Sequence, residues 1–414
     1  MTLPDSNTDA ALPIWARGDA FPPAPAGWGW MDYKGRAHRC EHSDALIEAI
    51  RDDRDAGVAL VWVPGNSHMI LPEEMPGATE AVLASRRRRA ADDLVDSHDK
   101  LRWFGWLFGG LTLFMLYQGW EYSPHSATRA ERAAFVLRAV FNSMSMGITL
   151  LMFLIFAFIP WYQSRKRLRE LKHWTGGDIA AIVPTLRFET WLEWQKAPAT
   201  RFLLVLVALV GVAQMMPGDS LTAAGLLKDR YLQHHEWWRL LTAPFLHGHP
   251  LHFLMNAAAL VYLGKRMEVF ARWPHVPLVF LFSACIGGEA SARFLAAPSV
   301  GASGGLMGWL GFLLVFESLH RRLVPRTARK RLLAGVLLTG LIGLIGYKFI
   351  DNAAHAGGLI AGMFYALIVF PRSESAMRPN TTVTDRIAGL MALGVLAFSA
   401  ILAVWMIFTT GGRG

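Results

Sequence analysis

The chain has 414 residues, 53% of them hydrophobic and only 18% charged, with two cysteines and a formal net charge of +9. That composition excludes a disordered chain, a collagen and a disulfide-stapled secreted domain. Beyond the first hundred positions, one uncharged apolar run follows another, each near the length that crosses a bilayer, so the chain reads as a polytopic, all-α membrane protein.

In chain order, Met1 to Ala11 is polar, with no basic stretch leading into an apolar run, and no cleaved signal peptide is expected there. Residues 12–100 mix Trp, Pro and Gly with short β-like runs at Trp28–Tyr33 and Ala59–Val63. A helical stretch at Ser43–Asp52 has Ser43 as its expected N-cap and Leu46, Ile47 and Ile50 at helical spacing. This predicts a small soluble α/β domain. Nine spans are predicted, at 103–120, 139–162, 202–216, 251–264, 276–294, 302–316, 332–347, 353–370 and 387–408. The organisation is then a soluble domain at 1–100, two extra spans and a basic linker at 101–200, a six-helix core at 201–372, and a linker with a final span at 373–414.

Lysine and arginine collect at Arg86–Arg89, Arg165–Lys172, Lys265–Arg266, Arg321–Arg331 and around Arg372 and Arg378. With nine spans these clusters share one side, the cytoplasmic one, and the N-terminal domain lies there too. The connections Pro217–Pro250 and Ala296–Gly301 then lie outside. The positive charge is thereby explained by topology, and no nucleic-acid partner is expected. Arg86–Arg89 reads as a solvated, topology-setting run.

Polar groups inside spans are costly and mark functional sites, and here they are His252, Asn256, Ser303 and His355. The topology puts all four at similar depth near the outer face, although only Lys and Arg were used to orient it. Ser303 lies in Gly301-Ala-Ser-Gly304 and needs a base to become a nucleophile; His355 is the only histidine in another late span. Small-residue stripes at Gly304 and Gly308, and at Ala354, Gly358 and Gly362, allow the two helices to approach closely. His252 and Asn256, four apart, share a helix face and can donate hydrogen bonds into a cavity, with the Ser303 amide as a further donor. Stitching helices together is the competing role for His252 and Asn256.

These residues resemble the rhomboid family of intramembrane serine proteases over about Phe202 to Phe370. The resemblance rests on Trp238-Arg239, His247 followed by His252 and Asn256, Leu263-Gly264 with Glu268, the Gly301–Gly308 run, and Ala354-His355 with Gly358 and Gly362. It implies that Ser303 is the nucleophile, His355 the base and then the acid, His252, Asn256 and the Ser303 amide the oxyanion donors, and Trp238-Arg239 the anchor of a loop in the outer leaflet. It implies transmembrane protein substrates, reached by lateral entry between the span starting at Leu251 and the one ending at Tyr347, with Lys348–Asn352 as a movable cap. Met307 departs from the family, which often has an aromatic four residues after the serine to pack on the imidazole. Asp351 reads as a helix cap at the outer mouth rather than a third member of the site.

No cofactor is implied. The histidines at 234, 235, 247, 249 and 252 lack the spacing and acidic partner of a metal site. Membrane lipids surround the chain, and a bacterial inner membrane suits the reading. Two rivals remain: a catalytically silent relative that binds membrane clients, and a transporter, for which the broken helices of internal repeats are not visible.

Overall fold

The computed structural model describes residues 12–53, 57–347 and 350–410 and is 71% helical. The polar N-terminal stretch and part of the expected Lys348–Asn352 cap, residues 348–349, lie outside the described residues. The chain divides into two compact units, one of residues 18–187 and 340–350, the other of the described parts of 1–17, 188–339 and 351–414.

The first unit opens with a three-stranded antiparallel sheet of β1 (Trp28–Asp32), β2 (Ala37–Cys40) and β3 (Val58–Trp62) in the order β2-β1-β3. Trp28 faces Cys40 and Gly29 faces Trp62 across the ladders. A Cβ on Gly29 would come within 2.2 Å of the Trp62 ring, so glycine is what lets the indole lie across β1. Helix α1 (Ser43–Asp52) docks on the sheet through Leu46 and Ile50, which join Val61, Met75, Val82 and Ile179 in one core. Each such side chain contributes about 1.5–3 kcal/mol on burial. Ser43 is the first helical residue rather than the expected cap; His42 holds that place with extended backbone and no side-chain bond to the helix, while Ser43 Oγ meets Asp44.

Helix α2 (Thr79–Glu121) runs unbroken for 43 residues, about 65 Å at 1.5 Å per residue, and carries the first predicted span at its end. The arginine run within it is not simply solvated. Arg86 pairs with Glu73 at 2.5 Å, Arg88 with Asp52 at 3.2 Å and Arg89 with Asp53 at 3.9 Å, and Arg87 donates to the Leu171 and Trp174 carbonyls. Four consecutive side chains point around the helix and each finds a partner, so the run stitches the unit together.

Next come α3 (Arg129–Asn142), α4 (Met144–Phe153) and α5 (Ile159–Lys172), the last two joined by a π-helical turn at Leu154–Phe158. The second predicted span therefore starts at Met144, because the chain breaks at Ser143, whose hydroxyl caps α4. Pro160 has no N–H for a regular α-turn, which accounts for the π turn before it. Helix α6 (Gly176–Glu193) leads out of the unit.

The second unit contains α7 (Pro198–Ala213), the short α8 (Ser220–Ala224), α9 (Lys228–Leu232) and α10 (Arg239–Thr242), and the long α11 (Pro250–Ala271), α12 (His275–Phe294), α13 (Ser303–Leu319), α14 (Arg326–Ile345) as far as Thr339, α15 (Asn352–Val369) and α16 (Val383–Thr410). Among the described residues, four helices are long and apolar enough to cross a membrane: 145–172, 275–294, 352–369 and 383–409. The other five predicted spans also fall on helices, but these are shorter or less apolar.

Two buried carboxylates tie this unit at the end away from His252. Glu268, late in α11, accepts from the Ala199 and Thr200 amides at 3.0 and 2.9 Å and from the Thr200 hydroxyl, satisfying donors that the first turn of α7 leaves open. Arg266 grips Glu317 of α13 through two bonds of 2.5 and 2.8 Å. The Trp309 indole donates to the Val276 carbonyl, joining α13 to α12, and Trp15 donates to the Leu323 carbonyl.

Candidate active site

Helices α12, α13 and α15 meet along glycine. A Cβ on Gly358 would lie 2.0 Å from the Gly304 carbonyl oxygen, and one on Gly287 would lie 2.6 Å from that of Ala354. Only residues without a Cβ permit such contacts. Gly362 meets Gly308 in the same way, and the spacing is unchanged between the two pairs, so α13 and α15 run parallel and in register. Ser303, the first residue of α13, and His355, in the first turn of α15, therefore sit at the same end of the seam.

Gly301, two residues before the serine, has φ +122°, a backbone that favours glycine, and its amide donates to the Ala243 carbonyl at 3.0 Å. A Cβ there would lie 3.0 Å from His252 Nε2 and 3.4 Å from Asn256 Nδ2. The two α11 side chains thus converge on the backbone leading into Ser303. Asn256 is 6% exposed, and its Nδ2 is buried without a hydrogen-bond acceptor among the described residues. A buried, unpaired amide donor costs about 1–3 kcal/mol, which a transient anion beside it would recover.

A cavity of about 30 Å³ opens beside the serine, lined by Leu226, Leu240, Gly288, Val300, Gly301, Ser303 and Ala354 among others. That is room for about one water. His247, His249 and His252 are not among its lining residues. His249 instead caps α11, accepting from the Leu251 amide at 3.2 Å. His247 packs edge-on against the His252 and Phe253 rings, and burial, aided by the His252 ring, pushes its pKa down to about 4, leaving it neutral.

The connection between α7 and α11 is fastened by Arg239, which donates to the Gly225 and Thr222 carbonyls at 2.7 and 3.2 Å, pairs with Glu236 at 2.5 Å and lies over the Trp238 ring. Glu268 is not part of the site; it lies sixteen residues along α11 from His252, about 24 Å. Met307 is half-buried. Among the described residues, neither Ser303 Oγ nor the His355 ring makes a hydrogen bond.

One cluster was not read from the sequence. Asp351 caps α15 through the Ala354 amide at 2.8 Å and also accepts from Ser291 and, at 2.5 Å, from Ser299. Lys228 donates to Ser291 at 2.5 Å. Beyond the Asp351 cap, its trace in the sequence is a cation following the apolar stretch Ala223–Leu227.

Residues 234–372, which contain Ser303, His355, His252 and Asn256, match the family model for the rhomboid domain. The chain is 34% identical over 152 residues to rhomboid protease GluP of Bacillus subtilis, covering 36% of this chain and 29% of that one. It is 31% identical over 191 residues to RHOMBOID-like protein 2 of Arabidopsis thaliana, covering 45% and 60%. It is 34% identical over 139 residues to inactive rhomboid protein 1 of Bos taurus, covering 33% and 16%. The matched segments thus span less than two thirds of each relative. The apolar helices and this match make the protein a multi-pass integral membrane protein that carries a rhomboid domain at residues 234–372.

Proposed function

We propose that the protein is an intramembrane serine endopeptidase that cleaves transmembrane segments of other membrane proteins near the outer face. The observation that carries this reading is the convergence at Gly301, where a buried, unpaired Asn256 amide and the His252 ring flank the entry to Ser303. Ser303 Oγ attacks the scissile carbonyl as His355 takes its proton. Asn256, His252 and the Ser303 amide hold the oxyanion. His355 then protonates the leaving amine, and water, deprotonated by the same imidazole, releases the acyl group. A substrate helix shields its own peptide bonds, so segments with helix breakers or small residues near the outer face are favoured.

In this reading the basic loops and the N-terminal domain face the cytoplasm, residues 201–372 form the protease core, and 1–100, 101–200 and 373–414 are additions to it. The decisive experiment compares wild type with Ser303→Ala and His355→Ala on a single-span reporter, alongside labelling by a fluorophosphonate. Cleavage and labelling by the wild type alone support the reading.

A second reading is a silent client-binding protein. The Ser303 and His355 side chains without hydrogen bonds, and a relative named as inactive, favour it. Client capture by a folded wild type that neither cuts nor labels would establish it.

A further inference from the structure

Asp351 and Lys228 belong to none of the catalytic roles assigned above, yet three separate stretches of chain converge on them. Asp351 Oδ1 accepts the Ala354 amide, and Oδ2 accepts both the Ser299 hydroxyl at 2.5 Å and the Ser291 hydroxyl. Ser291 lies near the end of α12, and its oxygen in turn accepts from Lys228 Nζ on α9 of the outer loop. Lys228 is only 7% exposed, so its ammonium is removed from water and answered by the Asp351 charge across one hydroxyl. Ser299 is also bound through its backbone: Leu226 and Ser299 exchange amide-to-carbonyl bonds of 3.0 and 3.1 Å.

The spacing gives the cluster its meaning. Asp351 stands four residues before His355, on the cap of the same helix, and Ser299 four before Ser303, at the head of the loop that delivers it. A single carboxylate therefore grips the leads to both side chains. We propose that the Lys228–Ser291–Asp351–Ser299 cluster is a positioning clamp, which sets His355 against Ser303 and makes that alignment depend on the docked outer loop. It rests on the serine-protease reading and deepens it. Asp351 acts through the placement of α15 and not by a hydrogen bond to the imidazole, which has none among the described residues.

The charge matters beyond the cap. Asparagine caps a helix nearly as well as aspartate, but it has one acceptor oxygen where this carboxylate takes donors on two, so Asp351→Asn keeps the cap and loosens the grip on Ser291 and Ser299. A misplacement of about 1 Å costs roughly 10²-fold in rate.

The test uses the full-length protein in detergent, with Asp351→Asn, Lys228→Met, the double variant and Lys228→Arg. It reads kcat and KM on the single-span reporter, the rate of fluorophosphonate labelling, and the unfolding temperature. Each single change is expected to lower kcat and labelling about 10–100-fold with KM within about twofold, in protein that remains folded. The double variant is expected to be no slower than Asp351→Asn, because both changes open one clamp, and Lys228→Arg to recover most of the rate. Wild-type kcat in either single variant, or a loss matching only the fraction of unfolded protein, overturns the clamp while leaving the protease reading intact. A folded wild type that labels no better than Ser303→Ala defeats the protease reading, and the clamp with it.

Discussion

Gly358 rests against Gly304 with no space between the two backbones: a single added methyl would sit 2.0 Å from the Gly304 carbonyl oxygen. This contact sets the relative height of the two helices that carry Ser303 and His355. Substituting Gly358→Ala should therefore do more than lower stability. Overpacking of this kind costs about 1–3 kcal/mol, and the relief is a separation of α13 from α15. The expected outcome is a lower unfolding temperature together with reporter cleavage reduced more than the folded fraction explains. Gly394→Ala, where an added Cβ meets nothing within 4 Å, is the matched control and should change neither.

Asn256 offers a sharper separation of catalysis from folding. Among the described residues its Nδ2 has no acceptor, so Asn256→Ala removes a group that costs stability as it stands. Loss of one oxyanion donor typically lowers kcat about 10²–10³-fold. The expected pattern is an unfolding temperature equal to or above that of the wild type with kcat reduced by that amount. A variant with full kcat would remove Asn256 from the oxyanion site.

Much of the site was legible because its chemistry is written locally. Ser303 is framed by glycines within five residues, His355 precedes its own small-residue stripe, and His252 and Asn256 share a helix face by spacing alone. The Asp351 cap was legible for the same reason. Its grip on Ser291, Ser299 and Lys228 was not, since the bonded pairs are 52, 60 and 63 residues apart and hydroxyls carry no sequence signature. Arg86–Arg89 misled in the opposite direction: consecutive like charges read as solvated, whereas Glu73, Asp52 and Asp53 neutralise three of them and the Leu171 and Trp174 carbonyls accept from the fourth. The strand at Ala37–Cys40 escaped because Ala-His-Arg-Cys shows no apolar alternation.

The pH profile should carry the mark of Lys228. Burial, partly offset by the Asp351 charge, pushes its pKa down to about 8. Lys228 bonds Ser291 of α12 and through that hydroxyl faces Asp351 at the head of α15; the same end of α12 carries the Glu289–Arg293 pair, in which Glu289 accepts from Tyr231 of α9. As pH rises through about 8 the ammonium is lost and Asp351 keeps an unanswered charge, so activity should fall there on the alkaline side. Stability should move the other way. The folded pKa lies below the unfolded one, so the unfolded chain binds the extra proton between about 8 and 10.5, and this group makes the protein more stable as pH climbs through that window. Lys228→Met should remove both effects, leaving a lower but flatter rate profile.

The Arg266–Glu317 pair tests what holds α11 to α13 far from the chemistry. Arg266 is 3% exposed and Glu317 1%, and the two are joined by paired bonds of 2.5 and 2.8 Å. Removing one partner strands a charge with little water near it, so Arg266→Met alone should cost about 3–5 kcal/mol, and Glu317→Leu alone a similar amount. Replacing both removes the stranded charge along with the attraction, and apolar side chains of similar size can fill the space. The double variant should therefore unfold near the wild-type temperature, although each parent unfolds well below it. Reporter cleavage by the double variant should also approach that of the wild type, because α13 is then restored to its place beneath Ser303. Additive destabilisation, with the double variant worse than either single one, would instead mean that neighbours such as the Phe188 ring, which lies 5.3 Å from the Arg266 guanidinium, depend on the cation itself.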